Sequence, residues 1–218
     1  MGKVIAIDGP SGAGKGTIAK LLAGELGFSY LDTGALYRAV ALALREKGIN
    51  PEDSDEKLKN TLSVTDVSFK NGKVSLNGKD VSEEIRTTEM GHYSSVFSAR
   101  KVVRDFLLDI QRSASLNADL VAEGRDMTTV VFPDAWKKFY LDASVEERAK
   151  RRYLQLKEKG INITESEAKK DVVERDVRDS GRDIAPLRKA DDAVLIDSSS
   201  MTIDKVLENI MKVVRAGP

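Results

Sequence analysis

The apolar positions change period several times along the chain, and each change marks an element. Val4-Ile5-Ala6-Ile7 is an unbroken apolar run that stops at Asp8, which predicts a parallel strand buried on both faces. Ile18, Leu21, Leu22 and Leu26 then recur at helical spacing, with Gly27 as a C-cap. A short strand over residues 28–32 and a helix over 34–47 follow, the helix burying Leu36, Val40 and Leu44 and stopping at Gly48. Residues 49–63 predict a loop and a short helix. Next, Val64, Val67, Phe69, Val74, Leu76 and Val81 fall in short segments separated by Asn71-Gly72 and Asn77-Gly78. Asn-Gly is the strongest short hairpin signal, so this stretch predicts a small antiparallel sheet inserted into the chain. The insert could be a recognition lobe or a mere insertion. Ser82 opens a helical region to about Leu116, with Val96, Val103, Phe106, Leu107 and Ile110 on its apolar face. Strands over 120–122, 139–142 and 193–196 are expected next. Helices are expected from Val145, from Thr164 to about Ser180, and from Ile203 to Val214. Strands alternating with helices predict an α/β fold with a parallel sheet.

The chemistry gathers behind the first strand. Gly9-Pro10-Ser11-Gly12-Ala13-Gly14-Lys15-Gly16-Thr17 joins that strand to a helix, the context in which a phosphate loop works. Its glycines let backbone N–H groups turn inward, the helix N-terminus adds partial positive charge and Lys15 adds a full one. Such a concavity holds the β- and γ-phosphates of a nucleotide. The G-x-x-x-x-G-K spacing holds, but Gly16 stands where Ser or Thr is common and Thr17 follows as the candidate Mg²⁺ contact. This Gly-Lys-Gly-Thr variant resembles the loop of nucleoside monophosphate kinases.

Composition narrows the field. The 218 residues are 41% hydrophobic, enough for one good core with smaller lobes. Lys and Arg number 35, as do Asp and Glu, and aromatics are 6%, which speaks against a nucleic-acid or membrane partner. An anion site must therefore come from local clustering of arginine. Without cysteine there is no disulfide or thiolate chemistry, and with the single histidine His92 a zinc site is not expected. The first apolar run is too short for a secretory signal and no stretch approaches bilayer length, so the expected setting is cytoplasmic.

In parallel sheets, ligands sit beyond the carboxyl ends of the strands. Thr33, Tyr37 and Arg38 follow the second strand, and Glu123, Arg125 and Asp126 follow the strand at 120–122. Glu123 could stand behind a Mg²⁺ ion, and Arg125 could clamp a phosphate. Arg148, Arg151 and Arg152 lie off the apolar face of their helix. Arg175 and Arg182, two turns apart, fall on nearly one side of the chain, although Asp171–Arg175 and Glu174–Arg178 could equally be ordinary i,i+4 surface pairs. A phosphate loop, many arginines and no obvious base suggest phosphoryl transfer. If the acceptor is itself a phosphate, no strong base is needed. Donor and acceptor repel, however, and water must be excluded, which suits an Arg-bearing helical hairpin that closes as a lid. The rivals are a kinase for another small acceptor, a GTP-driven switch and a nucleic-acid module. The switch lacks its Asn-Lys-x-Asp guanine motif here.

The segments Ile7 to Thr17, Leu31-Asp32-Thr33-Gly34-Ala35-Leu36-Tyr37-Arg38, Glu84-Ile85-Arg86, Gly124-Arg125-Asp126-Met127, Val130 to Ala135, Glu174-Arg175-Asp176 and Ala185-Pro186-Leu187 together closely resemble bacterial cytidylate kinases. The resemblance covers essentially the whole chain. It implies a three-layer P-loop fold with a central five-stranded parallel sheet, a core at 1–33, 118–147 and 183–218, a monophosphate-binding lobe with the inserted sheet at 34–117 and a lid at 148–182. It implies transfer of the ATP γ-phosphate to CMP or dCMP with Mg²⁺, in a protein expected to be a monomer. Carried over by position, Gly9 to Thr17 bind ATP, joined by Arg148, Arg151 and Arg152 from the lid. Ser95, Arg104 and Asp126 read cytosine, while Thr33, Tyr37 and Asp179 lie near the sugar and acceptor side. Arg38, Arg125, Arg175 and Arg182 hold the acceptor phosphate, and Lys15 acts with the last three in catalysis. Thr33 replaces a frequent Ser, and Thr128 stands where the family usually has Gly. Cytosine offers an N4 donor beside the N3 and O2 acceptors, so a carboxylate with an arginine favours it over uracil.

Overall fold

The computed structural model describes residues 2–217. β1 (Val4–Asp8) leads through the glycine-rich loop into α1 (Lys15–Leu26), and β2 (Ser29–Asp32) runs into α2 (Thr33–Glu46). After α3 (Asp55–Leu62) come three short strands, β3 (Val67–Lys70), β4 (Lys73–Leu76) and β5 (Lys79–Asp80). A 3₁₀ turn, Glu84–Arg86, precedes α4 (Thr88–Phe97) and α5 (Lys101–Ser113). The chain returns through β6 (Leu120–Glu123), a π-helical turn at Met127–Val131 and β7 (Lys137–Asp142). The hairpin α6 (Val145–Glu158) and α7 (Glu165–Ser180) follows, then β8 (Val194–Asp197) and α8 (Ile203–Arg215).

The main sheet is five-stranded, ordered β2-β6-β1-β7-β8. All its pairings are parallel. Successive side chains of a strand point to opposite faces, and here both faces are covered. Val4, Ala6, Leu31, Leu120 and Ala122 pack on one side against α2, α4, α5 and the insert. Ile5, Ile7, Val121, Phe139 and Leu141 pack on the other against α1 and α8. That two-sided burial is why β1 reads as a continuous apolar run.

The Asn-Gly signals mark two tight hairpin turns. Asn71 and Gly72 have φ of 53° and 76°, and Asn77 and Gly78 have 49° and 81°, the positive pair that a type I′ turn needs. The β3-β4-β5 sheet is antiparallel, as expected. It begins at Val67, not Val64, whose side chain is 77% exposed after α3. Leu21 is also turned outward, because α1 buries only the stripe through Ile18, Ala19, Leu22 and Ala23. The helical region from Ser82 is broken twice. Thr87 caps α4 by accepting from the Met90 N–H, and the chain turns again at Ser98–Arg100 before α5. No helix among the described residues is long and apolar enough to cross a membrane.

Candidate active site

The carboxyl ends of β1, β2 and β6 open into a cavity of about 970 Å³. The loop between β1 and α1 forms its floor. Gly9, Gly12 and Gly14 take φ of 149°, 77° and 93°. A Cβ on Gly9 would sit 1.9 Å from the Leu141 carbonyl oxygen, so only glycine fits the close approach of loop to β7. α1 begins at Lys15 itself, which puts Lys15, Gly16 and Thr17 in its first turn beside the loop. Lys15 is buried, its Nζ donating to the Pro10 carbonyl at 2.8 Å. Burial, and then the nearby Arg125, push its ammonium well below the usual lysine range.

Across the cavity the arginines converge on one carboxylate. Arg125 Nε donates to Asp179 Oδ2 at 2.9 Å, and Arg175 and Arg182 approach that carboxylate within 3.8 Å and 4.0 Å. Ser95 Oγ donates to the other oxygen at 3.3 Å. Burial works to raise Asp179, but the three guanidiniums outweigh it and hold the carboxyl below its ordinary range. Burial, and then Arg125, bring Arg175 down to about 10. Arg38 pairs with Asp32 at 3.3 Å, and Arg104 pairs with Asp126 while its Cζ lies 5.7 Å from the Tyr37 ring centroid. The Nε groups of Arg38, Arg175 and Arg182 are buried with no acceptor among the described residues. Buried donors are normally satisfied, so three unsatisfied guanidinium N–H groups at one cavity mark a place for an anion. The whole chain is neutral, yet the cavity lining carries eleven Lys and Arg against six Asp and Glu.

The sequence-derived residues are largely brought together. Ser11 to Thr17, Thr33, Tyr37, Arg38, Ser95, Arg104, Glu123, Arg125, Asp126, Arg151, Arg152, Arg175, Asp179 and Arg182 all line this cavity. Thr33 spends its hydroxyl proton on the Glu123 carbonyl at 2.7 Å. Gly9, Pro10 and Arg148 are not in the lining. Arg148, expected off the buried face of its helix, is instead buried, donating to the Ala143 and Ser11 carbonyls and to Asp176. Arg175 and Arg178 do not form the i,i+4 surface pairs that their spacing allows. Arg175 faces Asp179, Asp171 pairs with Arg152 at 3.0 Å, and Arg178 donates to Ser95 at 3.3 Å. His92 is exposed.

The chain matches the family model described as cytidylate kinase over residues 5–216. The chain belongs to the cytidylate kinase family. It is an enzyme, a nucleotide kinase of the transferase class. It is 53% identical over 216 residues to the cytidylate kinase of Thermodesulfovibrio yellowstonii, covering 97% of both chains. It is 51% identical over 218 residues to that of Geobacter sulfurreducens, covering 98% of this chain and 93% of the relative. Among solved structures, an uncharacterized protein from Eubacterium ventriosum superimposes with a TM-score of 0.57 at 13% identity, over 99% of both chains, which speaks to the fold alone.

With the family in hand, the residues that sequence reading passed over stand out. Leu154, Met201, Thr202, Ile203 and Val206 also line the cavity, as do Phe69 and Val74 of the inserted sheet. Asp176 accepts from the Ser11 N–H of the glycine-rich loop at 3.0 Å, tying α7 to that loop. None of these carries a local signature. They are brought in by the inserted sheet, by α6 and α7, and by α8 with the loop before it, from parts of the chain far from the glycine-rich loop.

Proposed function

We propose that this enzyme transfers the γ-phosphate of ATP to CMP or dCMP, giving ADP and CDP or dCDP. The three buried guanidinium N–H groups without acceptors among the described residues, lining the same cavity as the glycine-rich loop, carry this reading. In it, Ser11 to Thr17 cradle the donor phosphates, with Lys15 as the full charge, while Gly9 and Pro10, outside the cavity lining, shape the loop behind them. Arg38, Arg125, Arg175 and Arg182 hold the acceptor phosphate. Ser95, Arg104 and Asp126 read the cytosine edge, and Thr33, Tyr37 and Asp179 flank the sugar. The chain divides functionally into a core at 1–33, 118–147 and 183–218, an acceptor lobe at 34–117 and a lid at 148–182. Arg151 and Arg152 reach ATP from the lid, and Arg148 serves the lid's own anchoring.

The chemistry asks for charge neutralisation and alignment. An oxygen of the acceptor phosphate attacks the γ-phosphorus as the bond to the β–γ bridging oxygen breaks, and ADP leaves with that electron pair. The acceptor is largely dianionic at neutral pH, its second pKa being about 6, so no residue need take a proton. The arginines offset the repulsion between the two anions, and the lid excludes water that would otherwise accept the phosphoryl group.

The residues also fit Mg²⁺. Among the described residues no cluster of three or more carboxylate or imidazole ligands forms a cage, and Mg²⁺ in kinases is held mainly by phosphates and water. Thr17 offers a hydroxyl in the first turn of α1, and Glu123 lines the same cavity. Burial, and then Asp32, push Glu123 above the ordinary carboxylate range, against the pull of Lys15, Arg125 and Arg38. Bound there with ATP, Mg²⁺ would supply positive charge against the charge that develops on the donor phosphates.

A coupled ADP-release assay with Mg-ATP tests the whole reading against CMP, dCMP, UMP, AMP and GMP. Turnover led by CMP and dCMP is expected. A buried mismatch at the cytosine edge costs about 1–3 kcal/mol, so UMP should trail by about tenfold or more. Comparable kcat/KM for UMP would overturn the base assignment. The Arg175→Ala, Arg182→Ala double variant should lose about a hundredfold in kcat/KM for CMP, two charge-assisted bonds being removed; unchanged activity would overturn the acceptor-phosphate site.

A further inference from the structure

Asp8 closes β1 immediately before the phosphate loop, and it is fully buried. It does not line the cavity. Its carboxylate faces the segment that follows Arg125 and Asp126, from which it accepts three hydrogen bonds. Oδ1 accepts the Met127 N–H at 2.9 Å, and Oδ2 accepts the Thr128 N–H at 2.7 Å and the Thr128 hydroxyl at 2.6 Å. Met127 and Thr128 open the π-helical turn at Met127–Val131, whose first N–H groups have no partner inside the turn. π-helical turns are rare and recur at functional sites. The Asp8 carboxylate caps this one from another strand. Thr128 is itself 2% exposed, so its hydroxyl has little alternative to Asp8.

We propose that the Asp8–Thr128 pair is a positioning clamp, in which the Thr128 hydroxyl holds the Asp8 carboxylate against the turn and so fixes Asp126 and Arg125 for the acceptor nucleotide. The inference rests on the reading given above, in which Asp126 and Arg104 bind the cytosine edge. Asp126 directly precedes the capped turn, and the Val130 and Val131 N–H groups return to its carbonyl at 2.9 Å and 3.1 Å. Movement of the turn therefore moves Asp126 relative to Arg104, and Arg125 relative to Asp179.

The electrostatic surroundings show what the hydroxyl does. Asp8 faces Asp126 from the loop after β6, Lys15 from α1 and Tyr140 from its β7 neighbour. Burial pushes the Asp8 carboxyl up to about 6, and the Thr128 hydroxyl is the largest of the influences holding it down. A neutral carboxyl carries a proton on one oxygen and can no longer accept all three donors. Without the hydroxyl, protonation comes at higher pH and the cap loosens where the intact enzyme still holds it.

The test uses the full chain with Thr128→Val, Thr128→Ser and Asp126→Asn. The readouts are kcat and KM for CMP across mildly acid to neutral pH, and the Asp8 carboxyl followed by ¹³C NMR, its resonance assigned by loss in Asp8→Asn. Valine is close in shape to threonine, so the fold should survive. Thr128→Val is expected to raise KM for CMP about fivefold to tenfold at neutral pH, the loss of one bond to a charged group. It should also move the acid limb of kcat/KM and the Asp8 titration to higher pH, and Thr128→Ser should restore both. A valine variant with an unchanged KM and an unmoved limb would sink the clamp, as would a serine variant as impaired as valine, which would assign the loss to packing. An Asp126→Asn enzyme with unaltered KM for CMP would remove the base-site reading and this proposal with it. A raised KM in Asp126→Asn beside an unaffected Thr128→Val would sink the clamp alone.

Discussion

Two glycines show how little the backbone angle alone decides. Gly9 and Gly27 both have positive φ, 149° and 67°. A Cβ on Gly27 meets nothing within 4 Å, whereas one on Gly9 would lie 1.9 Å from the Leu141 carbonyl oxygen. Gly27→Ala should therefore cost only the left-handed conformation, about 1 kcal/mol. Gly9→Ala must also push the loop off β7, and is expected to cost about 3 kcal/mol or more, with loss of activity. Urea unfolding of the two variants checks this, and equal midpoints would contradict it. The spacing of the loop glycines is visible in the sequence because each residue acts on its own backbone. The bonds that Asp8, Asp176 and Thr128 make are not visible there, because each reaches a group more than a hundred residues away.

At the scale of the element, the α6–α7 hairpin owes its seat to Asp176. This carboxylate accepts from the Ser11 N–H and pairs with Arg148, whose guanidinium also binds the Ser11 carbonyl. Asp176→Ala takes from buried Arg148 its nearer carboxylate, leaving Asp142 at 4.0 Å, and is expected to cost about 3 kcal/mol, the lower end for breaking such a pair because Asp176 is partly exposed. The loss should appear locally, as faster amide hydrogen exchange across α6 and α7 with β1 and β6 still protected. Unchanged exchange in the hairpin would show that its anchor lies elsewhere. The hairpin itself was legible from helical spacing and the Thr164 signal, which the structure resolves as a capping box with Glu167. The insert was legible from its two Asn-Gly turns. The breaks in the helical region after Ser82 were not, because Thr87 and the turn at Ser98–Arg100 interrupt an apolar pattern that α4 and α5 continue on either side.

For the whole molecule, sequence periodicity reveals which segments are strands but not their order, since pairing in a parallel sheet joins residues distant in the chain. The order β2-β6-β1-β7-β8 places Asp8, Asp32 and Glu123 at neighbouring carboxyl ends, and this has a consequence for stability. Asp8 rises from 3.8 to about 6 through burial. A carboxyl with a raised folded value binds its proton more tightly when folded, so acidification favours the native state. Its ionised form costs about 3 kcal/mol at neutral pH, relieved as the pH falls through about 6 toward the ordinary carboxylate range. Glu123 shifts the same way. Asp179 shifts the other way, so its contribution is lost only as the pH falls below the ordinary carboxylate range. The ligand-free protein should therefore gain stability from neutral pH down to about 5 and lose it below about 4. Urea unfolding midpoints across that range measure the curve, and Asp8→Asn, which cannot titrate, should flatten the rise. A wild-type curve that falls steadily from neutral pH would contradict this account of Asp8. The same charge that holds the turn behind Asp126 thus weakens the fold that carries it, a trade of stability for site geometry.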